Sequence, residues 1–353
     1  MKTLRIATIL VATLFFVIGQ TTDVLAINDG ERVLSEKSFE VNSTANLEVD
    51  HEFGKVICIN WDKDVIAVKV TAKWKSSDES RIQKMIDKVE LDVHGDRSEV
   101  VVHCKPGHKH SNGNNSLSLI VEIQMPKSIS LELSQKFGFA LIETVDGPAD
   151  ISSEYGSLQI NELNNAQNDI SIEFGNGSIK HLTAGDVDIS YSEFKLETAG
   201  KVSLNSEFSN ITVSQKAKTL SIELEGGNLT VKKVGELTLE AEYSNTEIDE
   251  LYNSLSLESE YGGVEINYVS PNFTSISIEN DFGSVDLTID EKASYIFEAK
   301  SEYGDINYPE KSATFSYKKS TSNGFTGQGK IGKGEPKSTV SIESNYGSVS
   351  ISN

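Results

Sequence analysis

Leu255-Ser256-Leu257-Glu258-Ser259-Glu260-Tyr261-Gly262-Gly263-Val264-Glu265-Ile266-Asn267-Tyr268 places two short alternating runs on either side of an aromatic residue and a glycine. Successive side chains of a strand point to opposite faces. On that pattern Leu255, Leu257, Tyr261, Val264, Ile266 and Tyr268 face inward, while Glu258, Glu260, Glu265 and Asn267 face water. The glycine marks a corner that needs positive φ or a close backbone approach. The runs Leu237-Leu239-Ala241-Tyr243 and Ile170-Ile172-Phe174 follow the same rule.

The motif of acidic residue, ring and small residue recurs along the chain. It stands at Glu52-Phe53-Gly54, Glu154-Tyr155-Gly156, Glu173-Phe174-Gly175, Glu207-Phe208-Ser209, Glu242-Tyr243-Ser244, Glu260-Tyr261-Gly262, Asp281-Phe282-Gly283 and Glu302-Tyr303-Gly304. Weaker copies centre on Phe137, Tyr191, Gly226 and Tyr346. From Phe137 to Tyr303 the copies follow one another every 17 to 21 residues, the mark of a repeat architecture.

One repeat is two short strands, and a strand pair of that size buries its apolar face only by stacking on its neighbours. The fold expected is therefore mainly β: a parallel β-helix or solenoid of ~18-residue two-strand repeats, with its handedness open. A series of antiparallel hairpins has nearly the same pattern; the even spacing favours the solenoid. In register, rungs ~4.8 Å apart line up the residue before each ring as a column of carboxylates from Glu154 towards Glu302, a repulsive arrangement. A solvated acidic face with Lys and Ser interleaved is the plainer expectation. Divalent cations are the compatible ligands, although the glycine-rich nonapeptide of calcium-binding β-rolls is absent.

Both ends depart from the repeat. Lys2 and Arg5 precede an apolar stretch at 6–18 and a small-residue end, Val24-Leu25-Ala26, which reads as an export signal over 1–26. The stretch falls short of the roughly 20 residues that cross a bilayer. No cysteine sits at the cleavage point for lipid attachment, and no later segment could span a membrane. Residues 27–126 read as an N-terminal β-rich capping module with one helix at 77–88. Ser76 and Glu79 suit a capping box, and Ile82, Met85, Ile86 and Val89 share one face. Strands are expected at 54–60, 65–74, 89–94, 99–104 and 117–124. Residues 127–353 hold the solenoid repeats, interrupted by a Gly, Ser and Lys-rich excursion at 309–337 before a last rung at 340–351.

Charge and motifs narrow the function. A formal net charge of −21 opposes binding to nucleic acid and to anionic membrane surfaces. Gly327-Gln328-Gly329-Lys330-Ile331-Gly332 matches the dinucleotide fingerprint in letters only, because Gly334 and Pro336 prevent the helix that must follow; a flexible turn is the expectation. Hydrolase, metalloprotease and phosphate-loop motifs are missing. Carboxylates are too abundant to single out a glycosidase pair. His103, Cys104, His108 and His110 form the one dense group of metal-type ligands, without a standard four-ligand spacing; a polar loop tip is the plainer reading. Cys58 and Cys104 either pair as a disulfide or remain two buried thiols. Trp61 and Trp74 suit sugar stacking less than packing.

The Trp61-Asp62-Lys63-Asp64 turn before a strand of alternating valines, the helix from Asp78, the Met125-Pro126-Lys127 step and the serial Glu-Tyr-Gly-x-Val motifs resemble the bacterial "putative adhesin" family of exported β-repeat proteins. The resemblance runs from about Leu34 to the C-terminus. It implies a β-helix and no catalytic residues. The missing ring at Gly226 and the His-rich loop depart from the pattern. The function expected is a non-enzymatic cell-envelope scaffold, periplasmic or surface-exposed, that binds protein or glycan and carries no cofactor. The alternatives are a β-helical enzyme acting on polysaccharide and a metal-responsive envelope sensor using His103, His108 and His110.

Overall fold

The computed structural model describes residues 28–76, 78–107 and 116–353. The expected export signal, together with His108 and His110, lies outside the described residues. In the N-terminal part, β1 (Asn28–Glu40) pairs antiparallel with β3 (Val65–Ser76), which follows β2 (Asn46–Asn60) in the chain. The helix α1 (Glu79–Ile86) is shorter than the expected 77–88. Its cap is Asp78, whose carboxylate accepts the Arg81 N–H at 3.1 Å; the side chains of Ser76 and Glu79, expected to form a capping box, lie outside what is described. Asp78 satisfies one of the orphan N–H groups of the first turn itself. Strands β4 (Glu90–Gly95), β5 (Glu99–Lys105) and β6 (Ser116–Met125) fall close to where alternation places them.

β2 is the hinge of this region. Its first half pairs in parallel with β5, from Asn46 opposite Glu99 to His51 opposite Cys104. Its second half pairs in parallel with β6, from Gly54 opposite Leu119 to Asn60 opposite Met125. Along its other edge both halves pair with β7 (Ser130–Val145). The strand pairing is thus continuous from the N-terminal strands into the repeats.

From β7 onward the chain winds in rungs. β8 (Ala149–Glu154) enters the corner at Tyr155 and β9 (Ser157–Leu163) leaves it; β10 (Asn168–Glu173) then returns to lie parallel beside β8. β11 (Asn176–Ser190) pairs with β9 through its first half and with β10 through its second. β12 (Glu193–Glu260) runs through three rungs as one continuous strand, leaving extended geometry at the left-handed corners Phe208, Gly226 and Tyr243, and β13 (Gly263–Val269), β14 (Ser275–Asp281) and β15 (Ser284–Ile289) continue the parallel pairing. Consecutive antiparallel hairpins would not give these registers. The protein is mainly β and solenoid-like. Its core is built from rows of aliphatic side chains one rung apart, such as Ile151, Ile170, Val187 and Leu204, all buried. Each such side chain contributes about 1.5–3 kcal/mol of burial.

The C-terminal end is threaded out of order. β16 (Tyr295–Glu302) and β17 (Asp305–Asn307) make a rung that does not pair with β14 and β15. The chain turns through β18 (Ala313–Thr321) and β19 (Gly324–Ile331), a hairpin whose second strand covers the outer edge of β16 in antiparallel pairing. It then comes back: β20 (Ser338–Asn345) lies between β14 and β16, and β21 (Ser348–Ser352) between β15 and β17. The last rung in sequence is therefore the penultimate one in space, wedged in rather than closing the stack. Gly327 and Gly329 lie on β19, so the dinucleotide-like letters form no strand–turn–helix, and the flexible turn expected there is instead a strand paired on both edges.

Candidate functional site

All eleven predicted corner rings adopt left-handed backbone geometry: Phe53, Phe137, Tyr155, Phe174, Tyr191, Phe208, Tyr243, Tyr261, Phe282, Tyr303 and Tyr346 have φ between 47° and 59°. Alternation assigns these rings to the interior, and there the structure corrects the sequence. Leu255, Leu257, Val264 and Ile266 are buried as expected, but Tyr261 is exposed, and Tyr268 is half-buried with its hydroxyl on the Asp290 carboxylate at 3.1 Å. A left-handed residue bends the chain out of its pleat, so its side chain leaves the alternating order. Ser259 takes the inward place two residues earlier.

Stacked across rungs, the rings form an external ladder. Phe53, Phe137, Tyr155, Phe174, Tyr191 and Phe208 follow one another with centroids 4.7–5.5 Å apart. A second run comprises Tyr243, Tyr261, Phe282, Tyr346 and Tyr303, at 4.9–5.1 Å. The order Phe282, Tyr346, Tyr303 repeats the out-of-order threading. Ten of the rings are 41–63% exposed, so the ladder is a surface stripe and not a core. Several ring residues also donate their N–H to the neighbouring rung, as Tyr155 does to the Glu173 carbonyl at 2.9 Å.

Of the two reasons open for the glycine after the ring, the close backbone approach is the one the corners use. The ring residue holds the positive φ, and the following glycine serves the close approach. A Cβ on Gly156 would lie 2.4 Å from the Gly138 carbonyl oxygen, and one on Gly175 2.2 Å from that of Gly156. Where serine replaces glycine, its hydroxyl donates to the carbonyl two residues back, Ser192 to Ser190 at 2.7 Å and Ser209 to Glu207 at 2.8 Å. A left-handed non-glycine residue costs roughly 1–2 kcal/mol, and each ring stack returns about 0.5–1.5 kcal/mol beyond burial. The strain is therefore held by the stacking. Phe174→Ala loses two stacks and keeps the strain, whereas Phe174→Gly sheds it; the glycine variant is expected to be the more stable by roughly 1 kcal/mol in urea denaturation. An alanine variant as stable as the glycine one would contradict this account.

The expected carboxylate column exists in register and is interrupted as the plainer reading anticipates. Lys136, Glu154, Glu173, Ser190 and Glu207 stand opposite one another in successive rungs. Lys136 bonds Glu154 at 2.8 Å, and that hydrogen bond raises its pKa. On the outward side of the same strands burial, then neighbouring like charges, push Glu132 and Asp169 upward. Among the described residues no group of three or more His, Cys, Asp and Glu comes together to hold a metal ion.

Beneath Phe53 lies a buried histidine. His51 Nδ1 is 2.8 Å from Gln135 Oε1 and Nε2 is 3.0 Å from the Leu119 carbonyl oxygen. Desolvation lowers its pKa from 6.5 against the raising effects of these two acceptors and of Asp50. A lowered folded-state pKa means that the unfolded chain binds the extra proton first, so stability present above pH 6.5 falls as the pH drops towards the folded value. The raised carboxylates act in the opposite sense at lower pH, where the native state takes up protons first. Wild type is expected to lose stability from pH 7 to 5.5 relative to His51→Gln, as read from urea midpoints; parallel curves would remove His51 as the cause.

The other candidates are scattered. His103 contacts Asp50 at 3.3 Å on the outer face, and Lys105 reaches the same carboxylate at 2.5 Å. Cys58 and Cys104 are buried free thiols, so the disulfide left open by the sequence is not formed. The register explains this: Cys104 sits opposite His51 in the first half of β2, while Cys58 is in the second half, opposite Ile123 and Ile142. Burial pushes both thiols up to about 12. A thiol reagent should therefore find no reactive cysteine in the native protein and two in denaturant; none in denaturant would mean a disulfide. Trp61 donates its indole N–H to the Val65 carbonyl at 2.7 Å under Lys63, and Trp74 packs over Gly30 against the core.

A mainly β stack of ring-cornered rungs defines a repeat protein whose distinctive surface is the ladder. The family model for Toastrack DUF4097 matches residues 44–352, and the chain belongs to that family. A search of curated proteins finds no match. Solved structures similar to the chain include a "putative adhesin" from Parabacteroides distasonis, 10% identical, covering 72% of this chain and 90% of that one with a TM-score of 0.32. Another from Parabacteroides merdae is 10% identical, covers 90% and 96%, and has a TM-score of 0.32. A "putative lipid binding protein" from Parabacteroides distasonis is 12% identical, covers 92% and 97%, and has a TM-score of 0.29. No helix among the described residues is long and apolar enough to cross a membrane.

Proposed function

We propose that the protein is exported and acts without catalysis as a cell-envelope adhesion or binding scaffold, a parallel β-helix of ~18-residue rungs that presents its ring ladder to protein or glycan partners. The observation that carries this reading is the exposure of the rings at strained corners: strain kept at a surface points to a role there. Rings with open faces and edges suit stacking on sugars and on planar side chains. The adhesin-like names of the neighbouring structures agree with it.

The test uses the mature chain, residues 27–353, and a Tyr155→Asn/Phe174→Asn variant, since asparagine tolerates the left-handed region. Wild type is expected to retain a specific component from envelope extracts or a glycan panel, and the variant to lose it. Undiminished binding by the variant removes the ladder as the contact surface. Reproducible hydrolysis of a glycan replaces the scaffold by an enzyme.

A further inference from the structure

The ladder has one missing rung. Gly226 occupies a corner with φ 68°, the same left-handed geometry as its neighbours, but offers no ring. Phe208 before it and Tyr243 after it are two rungs apart, about 9.6 Å at the usual strand spacing. Both flanking rings have an unstacked face. Phe208 is 56% exposed and Tyr243 63%, the latter the most exposed ring of the ladder. Phe208 leans into the break: it tilts 19° from Tyr191 where every other stacked pair lies within 10° of parallel, and its ring edge would meet a Cβ on Gly226 at 2.8 Å. That ring is the free end of a side chain and can return upright.

A planar group placed midway would lie about 4.8 Å from each ring, within the 4.7–5.5 Å of the existing stacks. Charge selects which planar group. The three corner segments, 205–212, 223–230 and 240–247, carry Glu207, Glu223, Glu225, Glu240, Glu242 and Glu247, all exposed, and no lysine, arginine or histidine. At the Phe137 corner, by contrast, Lys136 stands in the column. A neutral ring gains nothing from six carboxylates. An ammonium gains charge attraction but is compact and strongly hydrated, whereas a guanidinium is planar, weakly hydrated, stacks on rings and fits a carboxylate with two N–H groups.

We infer that the break at Gly226 is a docking slot for an arginine side chain of a partner protein, whose guanidinium completes the ladder between Phe208 and Tyr243. This rests on the scaffold reading and names one contact within it.

The mature protein, labelled on phenylalanine and tyrosine rings, is titrated with acetyl-arginine amide, acetyl-lysine amide and acetyl-phenylalanine amide and followed by NMR. Saturable shifts at Phe208 and Tyr243 are expected with arginine alone, leaving Tyr155 and Phe174 unmoved. Gly226→Tyr, which supplies the missing ring in a geometry eleven other positions already adopt, should weaken arginine binding at least tenfold without lowering the melting temperature. Tyr243→Leu removes one wall and should weaken it comparably, which keeps the test valid where Gly226→Tyr folds poorly. Equal binding of lysine or phenylalanine, shifts spread along the whole ladder, no saturable shift with arginine, or undiminished binding by both variants overturns the slot. The extract and glycan experiment is independent of these outcomes, so failure here leaves the scaffold reading standing.

Discussion

Ending the chain at Lys337 should melt the C-terminal end of the stack while leaving the rungs before it folded. Residues 338–352 fill the space between the rung of β14 and β15 and the rung of β16 and β17, and they pair with both. Their inward side chains, Val340, Ile342, Val349 and Ile351, are buried. At about 1.5–3 kcal/mol each, their loss removes roughly 6–12 kcal/mol of burial, comparable to the whole stability of a typical domain. Phe282 and Tyr303 each lose their stack on Tyr346 as well. β16 would keep only the β19 hairpin strand, and no strand pairing would join that pair to the remaining rungs. Stability in a repeat array is a sum of nearest-neighbour terms, so the damage should stop a few rungs away. Hydrogen exchange is the measurement: amides of 295–331 should exchange near the unfolded rate in the truncated chain, and those of 130–190 should stay protected. Retained protection at 295–331 would show that the wedge is dispensable.

The repeat, the two-strand rung and the β5 and β6 boundaries were legible because a period of two and a fixed spacing are local signals. The aliphatic partners Leu255, Leu257, Val264 and Ile266 faced inward as alternation demands. What misled was the corner itself. Alternation presumes an unbroken pleat, and a left-handed residue breaks it, sending Tyr261 outward and Ser259 inward. A signal was available: Gln135, Ser153, Ser206, Ser259, Asn280, Ser301 and Ser344 put polar groups in the inward phase two residues before the rings, where a continuous core strand would be aliphatic. The wedge of β20 and β21 left no such trace, because its repeat pattern is as regular as any other and stacking order is set by the long excursion between rungs. Pairing of Cys58 with Cys104 was undecidable for a related reason: it depends on which half of β2 each thiol meets, a question of register rather than composition.

Gly262 and Gly263, adjacent in the stretch that announces the fold, should respond to the same substitution in opposite ways. A Cβ on Gly262 would lie 2.0 Å from the Ser244 carbonyl oxygen in the preceding rung, a backbone atom with no freedom to swing aside. The Gly262 carbonyl in turn accepts the Ser284 N–H at 3.0 Å, so any shift that relieves the clash is passed to the next rung. Overpacking of this kind costs about 1–3 kcal/mol, and a strained or broken rung-to-rung hydrogen bond adds about 1 kcal/mol. Gly262→Val is therefore expected to destabilise by roughly 2–4 kcal/mol. Gly262→Ser should cost less, since Ser192, Ser209 and Ser244 show that a hydroxyl at this place can bond the carbonyl two residues back. A Cβ on Gly263 meets only the Asn245 side chain at 3.5 Å and that of Ser284 at 3.7 Å. There valine replaces a poor strand former with a good one, and Gly263→Val should be neutral or slightly stabilising. Urea midpoints of the three variants decide the matter. Equal losses at 262 and 263 would mean that the glycine is kept for chain flexibility, and the close approach between corners would lose its place as the reason for the Tyr-Gly pair.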